Sequence, residues 1–402
     1  MASKWHPDTN PDGMVNLGTA ENHLMLNDIA DFINSKGLHL EGKDFDYGEG
    51  PWGSVRLRKG MAKFINRHFH PFSPVDADEL TFANGCTSLF NMLRMTIADP
   101  EDGLLLSMPG YIAFPTDFSL LAKMKPVFVP FHGADQFSLD AVTHYEEAYR
   151  KAEESGTRIR ALMLCNPHNP LGKCYPKETL IALMKFCQQR KVHLLADEVY
   201  AMSVYEVPEP SATPFISVLS FDYSRYINRD YLHFIYGMAK DFACGGLRMG
   251  ALWTKNKELA RAVATINQFR WPGQVDERVA AKILEDEEWL DSFLTKSRER
   301  LAASNKLARQ LMDYAGIGYA SGANAGLFFW IDLSPWLNED DGKDDWEREE
   351  RLVKRMLENK VFLTNGKGQA SERPGFFRPV FSREERMLRE GFRRLVNTLE
   401  EN

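Results

Sequence analysis

Between about residues 80 and 255, short apolar runs alternate with amphipathic stretches, a spacing that predicts strands alternating with helices. The runs are Glu79 to Ala83, Gly103 to Ser107, Pro126 to Pro130, Arg160 to Cys165, Val192 to Ala196, Tyr231 to Tyr236 and Ala251 to Thr254. Helical periodicity occupies stretches such as Cys86 to Ile97 and Pro176 to Gln189. Strands joined by helices of this length form crossovers, so a mainly parallel sheet covered on both faces is expected. The flanks differ. Residues 22–36 and 54–69 carry a helical pattern, and the last hundred residues hold long charged helices around the strand-like run Gly326 to Asp332. The pattern predicts a large α/β domain over 71–300 and a smaller α+β domain over 301–402, to which the N-terminal segment 1–70 contributes. The acidic run Asn338 to Asp345 reads as a solvated loop leading into a helix from Trp346 to Asn359.

Composition narrows the class. The 402 residues carry 49 Lys and Arg against 56 Asp and Glu, a net charge of −7, which argues against a nucleic-acid partner and for a small-molecule one. No uncharged apolar run is long enough to cross a bilayer, and the start, Met1 to Pro7, has no apolar core of a leader, so no membrane partner and a cytoplasmic location are expected. The five cysteines, Cys86, Cys165, Cys174, Cys187 and Cys244, are odd in number and never form a C-x-x-C pair; reduced thiols are expected. His68 and His70 have no ligand-spaced companions, so no metal is expected.

Candidate chemistry lies just after the strands, where open parallel sheets bind ligands. Lys240 follows one apolar run, and Arg248 stands eight residues on. A lysine amine can form a Schiff base with an aldehyde and an arginine can grip a phosphate, though a surface lysine on a loop fits the local sequence equally well. Gly85, Cys86 and Thr87 open a helix whose N-terminus suits a phosphate, or form an ordinary capped turn. Tyr111 could stack on a planar ring or sit in the core. Asn169 is presented by a proline-rich turn, and Tyr200 follows Asp197, an acid at the end of a buried strand that needs a cationic partner or caps a helix. Gly48, Gly50 and Gly53 form a G-x-G-x-x-G, but polar residues precede them where a dinucleotide fingerprint requires a hydrophobic strand.

A pyridoxal 5′-phosphate enzyme needs a Schiff-base lysine, an acid at the ring nitrogen, a phosphate anchor and an oriented ring, and each strand end offers one of these. Asn169-Pro170-Leu171-Gly172, Ala196-Asp197-Glu198-Val199-Tyr200 and Lys240-Asp241-Phe242-x-x-x-Gly246-x-Arg248-x-Gly250 resemble the signatures of fold-type I, class I/II aminotransferase-like enzymes. Ala20-Glu21-Asn22-His23-Leu24, Asn166 to Gly172 and Ala325 to Trp330 are most similar to the branch of 1-aminocyclopropane-1-carboxylate synthase and its relatives. The resemblance implies a large domain built on a mainly parallel seven-stranded sheet, pyridoxal 5′-phosphate as cofactor, and a homodimer with shared active sites contacted partly through residues 1–70. It implies Lys240 as the cofactor lysine and base, and Asp197 at the pyridine nitrogen. Asn169 and Tyr200 would bond the phenolic oxygen, Tyr111 would stack on the ring, and Gly85, Cys86, Thr87 and Arg248 would hold the phosphate. Ala20, Glu21, Asn169 and Arg378 would meet the substrate, with Arg378 on its carboxylate, and Tyr47 would reach into the neighbouring site in a catalytic and substrate-binding role.

Two stretches depart from that pattern. Gly237 and Ala239 stand where serines are usual, which leaves phosphate retention to Arg248, Thr87 and the helix N-terminus; around Asp46 to Gly53 the tyrosine spacing is altered and Trp52 sits near the expected place. The implied activity is α-deprotonation of an amino acid with a γ leaving group, S-adenosylmethionine first, then cyclisation, γ-elimination or γ-replacement. Transamination between an amino acid and a 2-oxo acid uses the same residues and is the second reading. A non-catalytic binding protein of the same fold is the third, and the presence of Lys240 and Asp197 weighs against it.

Overall fold

The computed structural model describes residues 3–121, 123–209 and 212–401; Met1 and Ala2 of the polar start lie outside them. Seven strands form the large sheet: β1 (Leu80–Asn84), β2 (Gly103–Ser107), β3 (Lys125–Val129), β4 (Ile159–Cys165), β5 (His193–Asp197), β6 (Leu232–Gly237) and β7 (Met249–Thr254). Their order across the sheet is β1-β7-β6-β5-β4-β2-β3. The run from β6 to β3 is parallel, and β7 lies antiparallel to both β6 and β1, so the expected mainly parallel seven-stranded sheet is present. Successive residues of a strand face opposite sides of the sheet. Phe234 and Tyr236 accordingly join one apolar cluster while Ile235 joins another, and Ala251 and Trp253 are separated from Leu252 in the same way. Both faces are dry, which is why these strands read as continuous apolar runs.

A third cluster draws on both ends of the chain. Val15 and Leu17 pack with Leu327, Phe329, Leu352, Phe377 and Leu395 around a four-stranded antiparallel sheet. The helix Glu287–Tyr314 passes through residue 300 unbroken, placing Leu290, Phe293 and Leu294 in the large-sheet core and Leu301, Ala308 and Met312 in the third cluster. One rigid helix therefore serves both cores. The helices Leu26–Lys36 and Val55–His68 pack on the large-sheet side through Phe32, Leu57, Met61 and Phe64. The run Gly326 to Asp332 is strand only at Ile331–Asp332. Gly326 turns the chain with φ +76°, and the buried residues after it pair irregularly, Phe329 N donating to Pro379 O and Phe381 N to Leu327 O. Apolar residues on consecutive positions here reflect burial on all sides rather than a regular ladder.

At the end of the sheet away from the strand termini discussed below, His193 Nδ1 lies 2.9 Å from His233 Nε2, and His233 Nδ1 lies 2.9 Å from Thr254 Oγ1. Burial pushes His193 down to about 4 and His233 well below the usual histidine range. In the unfolded chain each imidazole gains a proton near pH 6.5. The neutral pair thus stabilises the fold above that pH, and the contribution is lost as pH falls from 6.5 towards 4. His233→Gln removes one of these titrations. The gap in melting temperature between wild type and His233→Gln should narrow between pH 7.5 and pH 5; a gap that stays constant would contradict the assignment.

Candidate active site

The carboxyl ends of β1, β6, β5 and β4 surround a cavity whose walls include Gly85, Cys86, Thr87, Tyr111, Asn169, Asp197, Tyr200, Lys240 and Arg248. Arg248 joins them because β7 is antiparallel: its start, not its end, lies at this edge, with Gly250 opposite Ala83 on one side and Gly237 on the other. A Cβ at Gly250 would sit 2.6 Å from the Gly85 carbonyl carbon and 2.7 Å from Cys86 N. A Cβ at Gly85, where φ is +98°, would sit 2.6 Å from Arg248 Nη2. The two glycines let the guanidinium and the start of the helix Cys86–Ile97 come together. That helix opens without a side-chain cap, so its first N–H groups and the arginine make a cradle for a phosphate.

Lys240 Nζ donates to Ala20 O at 2.7 Å and lies 5.9 Å from the centre of the Tyr200 ring. Burial, helped by the Arg378 charge, lowers the amine to about 8, so a neutral fraction exists near physiological pH. Its turn is held by Asp241, which accepts from Tyr236 Oη at 2.8 Å, Ser203 Oγ at 2.6 Å and Met202 N at 2.9 Å. Asp197 is buried, accepts from Val199 N at 3.3 Å, and is raised by burial to about 7. A buried carboxyl of this kind gains most from a cationic donor, which is what a protonated pyridine nitrogen offers. Burial raises Tyr111 to about 12 and lifts Tyr200 well above the usual phenol range, so both phenols keep their protons.

Arg378 is buried, and among the described residues no carboxylate lies within ion-pair distance of it. Nη1 donates to Asn169 Oδ1 at 2.9 Å and Nη2 to Gly18 O at 2.6 Å, the guanidinium lies 5.1 Å from the Phe328 ring centre, and Nε has no partner among the described residues. A buried cation satisfied only by neutral acceptors is prepared for an incoming carboxylate. Glu21 stands at the exposed side; His23 at 3.0 Å, then Arg383 and Lys240, hold its carboxyl below the usual range.

Most of the residues expected from the sequence therefore converge, and Tyr47 does not. It is 87% exposed, in the turn after Gly42–Phe45, outside the cavity of its own chain. Trp52 is tied to β1 instead, its carbonyl accepting from Phe82 N at 3.0 Å. Gly48, Gly50 and Gly53, all with positive φ, form the turn into the helix Val55–His68 with no strand before them, so the dinucleotide reading has no structural basis. Arg383 was not anticipated. It clamps the segment that carries Ala20 and Glu21 by donating to Asn16 O at 3.2 Å, Glu21 O at 2.7 Å and Thr19 O at 2.5 Å. Its nearness in sequence to Arg378 was the only available signal.

The family model described as aminotransferase class I and II matches residues 12–395. The chain is 33% identical over 407 residues to 1-aminocyclopropane-1-carboxylate synthase-like protein 1 of Takifugu rubripes, across 99% of this chain and 64% of that protein, so it spans less than two thirds of that relative's length. It is 32% identical over 411 residues to the probable inactive 1-aminocyclopropane-1-carboxylate synthase-like protein 2 of Mus musculus, across 100% of this chain and 68% of that protein. The fold is similar to that of an aromatic aminotransferase from Pyrococcus horikoshii OT3, with a TM-score of 0.78 at 19% identity over 99% of this chain and 96% of that one. No helix among the described residues is long and apolar enough to cross a membrane.

Gly237 is explained by packing: a Cβ there would lie 2.8 Å from Cys86 Sγ and 3.0 Å from Met249 O. Gly237→Ser should destabilise the fold by about 1–3 kcal/mol, the usual range for overpacking. Cys86→Ala in the same chain should recover part of that loss. Denaturant melts of the two single variants and the double variant check it, and strictly additive effects would refute the contact.

Proposed function

This chain belongs to the class I and II aminotransferase family, whose cofactor is pyridoxal 5′-phosphate, and we propose that it acts on an α-amino acid with a leaving group on its γ carbon, S-adenosylmethionine foremost. When bound, the cofactor supplies an electron sink that makes the substrate's α C–H acidic. The helix N-terminus at Cys86 and Thr87, with Gly85 and Arg248, would hold its phosphate. Asp197 would keep a proton on the pyridine nitrogen, Asn169 and Tyr200 would bond the phenolic oxygen, and Tyr111 would orient the ring. Arg378 and Asn169 clasp the substrate carboxylate, which fixes the α carbon over Lys240. Lys240, its amine lowered to about 8, takes the α proton.

The observation that carries the choice of substrate is Glu21. An ionised carboxylate beside Lys240 and next to Ala20, whose carbonyl already receives the lysine amine, is suited to a substrate bearing a second positive charge away from its α carbon, as a sulfonium does. Closure forms a bond between the α and γ carbons as the γ C–S bond breaks; its electron pair goes to sulfur, which leaves as neutral methylthioadenosine. Lys240 then returns its proton to solvent. Elimination or replacement at the γ carbon begins with the same proton transfer.

Two measurements test this. Holoenzyme incubated with S-adenosylmethionine should release methylthioadenosine by mass spectrometry, and Lys240→Ala should lower that rate by about 10²–10⁴-fold or more, the span of a lost general base. Amination of a keto acid without methylthioadenosine selects the aminotransferase reading. Inertness in both assays, with an absorbance band unchanged by Lys240→Ala, selects the non-catalytic one, in line with the name of the murine relative. We further read the protein as a homodimer in which Tyr47 serves the partner's site. Mixing Lys240→Ala and Tyr47→Phe protomers should recover part of the activity that each lacks, and a light-scattering mass of one chain would overturn the dimer.

A further inference from the structure

A second cavity adjoins the first and shares Tyr111, Cys165 and Asn169 with it. On the side of the large sheet its wall is apolar, with Leu106, Phe114, Phe128 and Met163. Its other wall is the loop Lys367 to Ala370 from the C-terminal part of the chain. Gln369 in that loop is fully buried, and neither atom of its amide has a hydrogen-bond partner among the described residues. His168, 1% exposed, meets Ser107 Oγ at 3.1 Å through Nε2 and leaves Nδ1 without a partner.

The loop that carries Gln369 is fixed from several sides. Buried Glu349 accepts from Asn365 Nδ2 at 3.0 Å, Lys367 N at 3.0 Å and Gly375 N at 2.8 Å. Glu372 accepts from Phe131 N at 2.6 Å and His132 N at 2.8 Å. The backbone of Gln369 is satisfied as well, its N–H donating to Gly366 O at 2.9 Å and its carbonyl accepting from Gly110 N at 2.8 Å. Only the side-chain amide is left over. Buried amides without partners are costly, and one on a rigid loop at the wall of a pocket is a prepared recognition group. The charged residue among the described lining, Lys367, has its amine engaged by Glu350, and the burial that holds His168 down to about 3 keeps that imidazole neutral, so the cavity offers no counter-ion to a charged guest.

We infer that this cavity receives the distal end of the substrate side chain, and that Gln369 with His168 selects an uncharged group presenting a hydrogen-bond donor beside an acceptor. The inference rests on the reading of the adjoining cavity as an amino-acid site. An adenine edge and a carboxamide both carry that pair, since a glutamine amide can bond both atoms of either. S-adenosylmethionine brings the first and glutamine the second; methionine has neither.

The test is titration of the wild-type, Gln369→Leu and Gln369→Met holoenzymes with these three amino acids, followed by the change in cofactor absorbance. Gln369→Leu should weaken S-adenosylmethionine and glutamine at least about tenfold, as expected for a lost buried hydrogen-bond partner, and change methionine less than about twofold. Gln369→Met keeps the length of the side chain while removing both its donor and its acceptor and should lose the same two ligands. Equal effects on all three, or none, overturn the subsite. A wild type that ignores S-adenosylmethionine but loses glutamine selectively on substitution supports the subsite and overturns S-adenosylmethionine as substrate. A wild type that responds to none of the three overturns both.

Discussion

The site depends on one close approach of backbone to backbone, where the start of β7 meets the end of β1. Gly250 lies so near the Gly85–Cys86 peptide that no side chain fits between them. This contact is available only because β7 runs against its neighbours and delivers Arg248 to the edge where the parallel strands end. The positive end of the helix Cys86–Ile97 and the guanidinium are thereby brought to the same corner of the cavity. Two positive groups this close suit an anion that both can share.

The remaining charges follow the same logic with different signs. Arg378 is buried among neutral acceptors, Asp197 is a buried acid raised to about 7, and Lys240 is an amine lowered to about 8. Each is shifted chiefly by burial, in the direction that favours its neutral form. Groups held this way are poor contributors to folding stability and strong binders of the complementary partner, because the desolvation has already been incurred in the fold. The helix Glu287–Tyr314 is shared by two hydrophobic cores, and Arg383 clamps residues 16–21, the segment whose Ala20 carbonyl accepts from Lys240.

What the sequence made legible was local. Strands buried on both faces and helices with one buried face differ in period, so the elements between residues 80 and 255 were readable, and with them the residues at the strand ends such as Asn169, Asp197 and Lys240. What it hid depended on contacts between distant segments. Gly326 to Asp332 reads as strand because its residues are apolar, yet its burial comes from irregular pairing with residues 379–381. Arg383 looks like any arginine before a charged helix; its importance lies in carbonyls at the far end of the chain. Gln369 sits in a polar, glycine-containing stretch that resembles solvated loop, and only the anchoring by Glu349 and Glu372 buries it. Tyr47 is a different case: it is exposed and lies away from the cavity of its own chain, which its neighbours in sequence do not reveal.

Gly237 joins these two kinds of information. Serine is the residue resembled by the surrounding motif, but in this fold the space beside residue 237 is already filled by the Cys86 thiol, which donates to Tyr236 O at 3.4 Å. The thiol and the bare backbone at residue 237 therefore depend on each other in space although they are 151 residues apart in the sequence. A side chain at residue 237 would have to displace the sulfur or the Met249 carbonyl beside it. The corner formed by Gly85, Gly250 and Arg248 involves neither atom, so the approach of helix and guanidinium does not depend on what stands at residue 237.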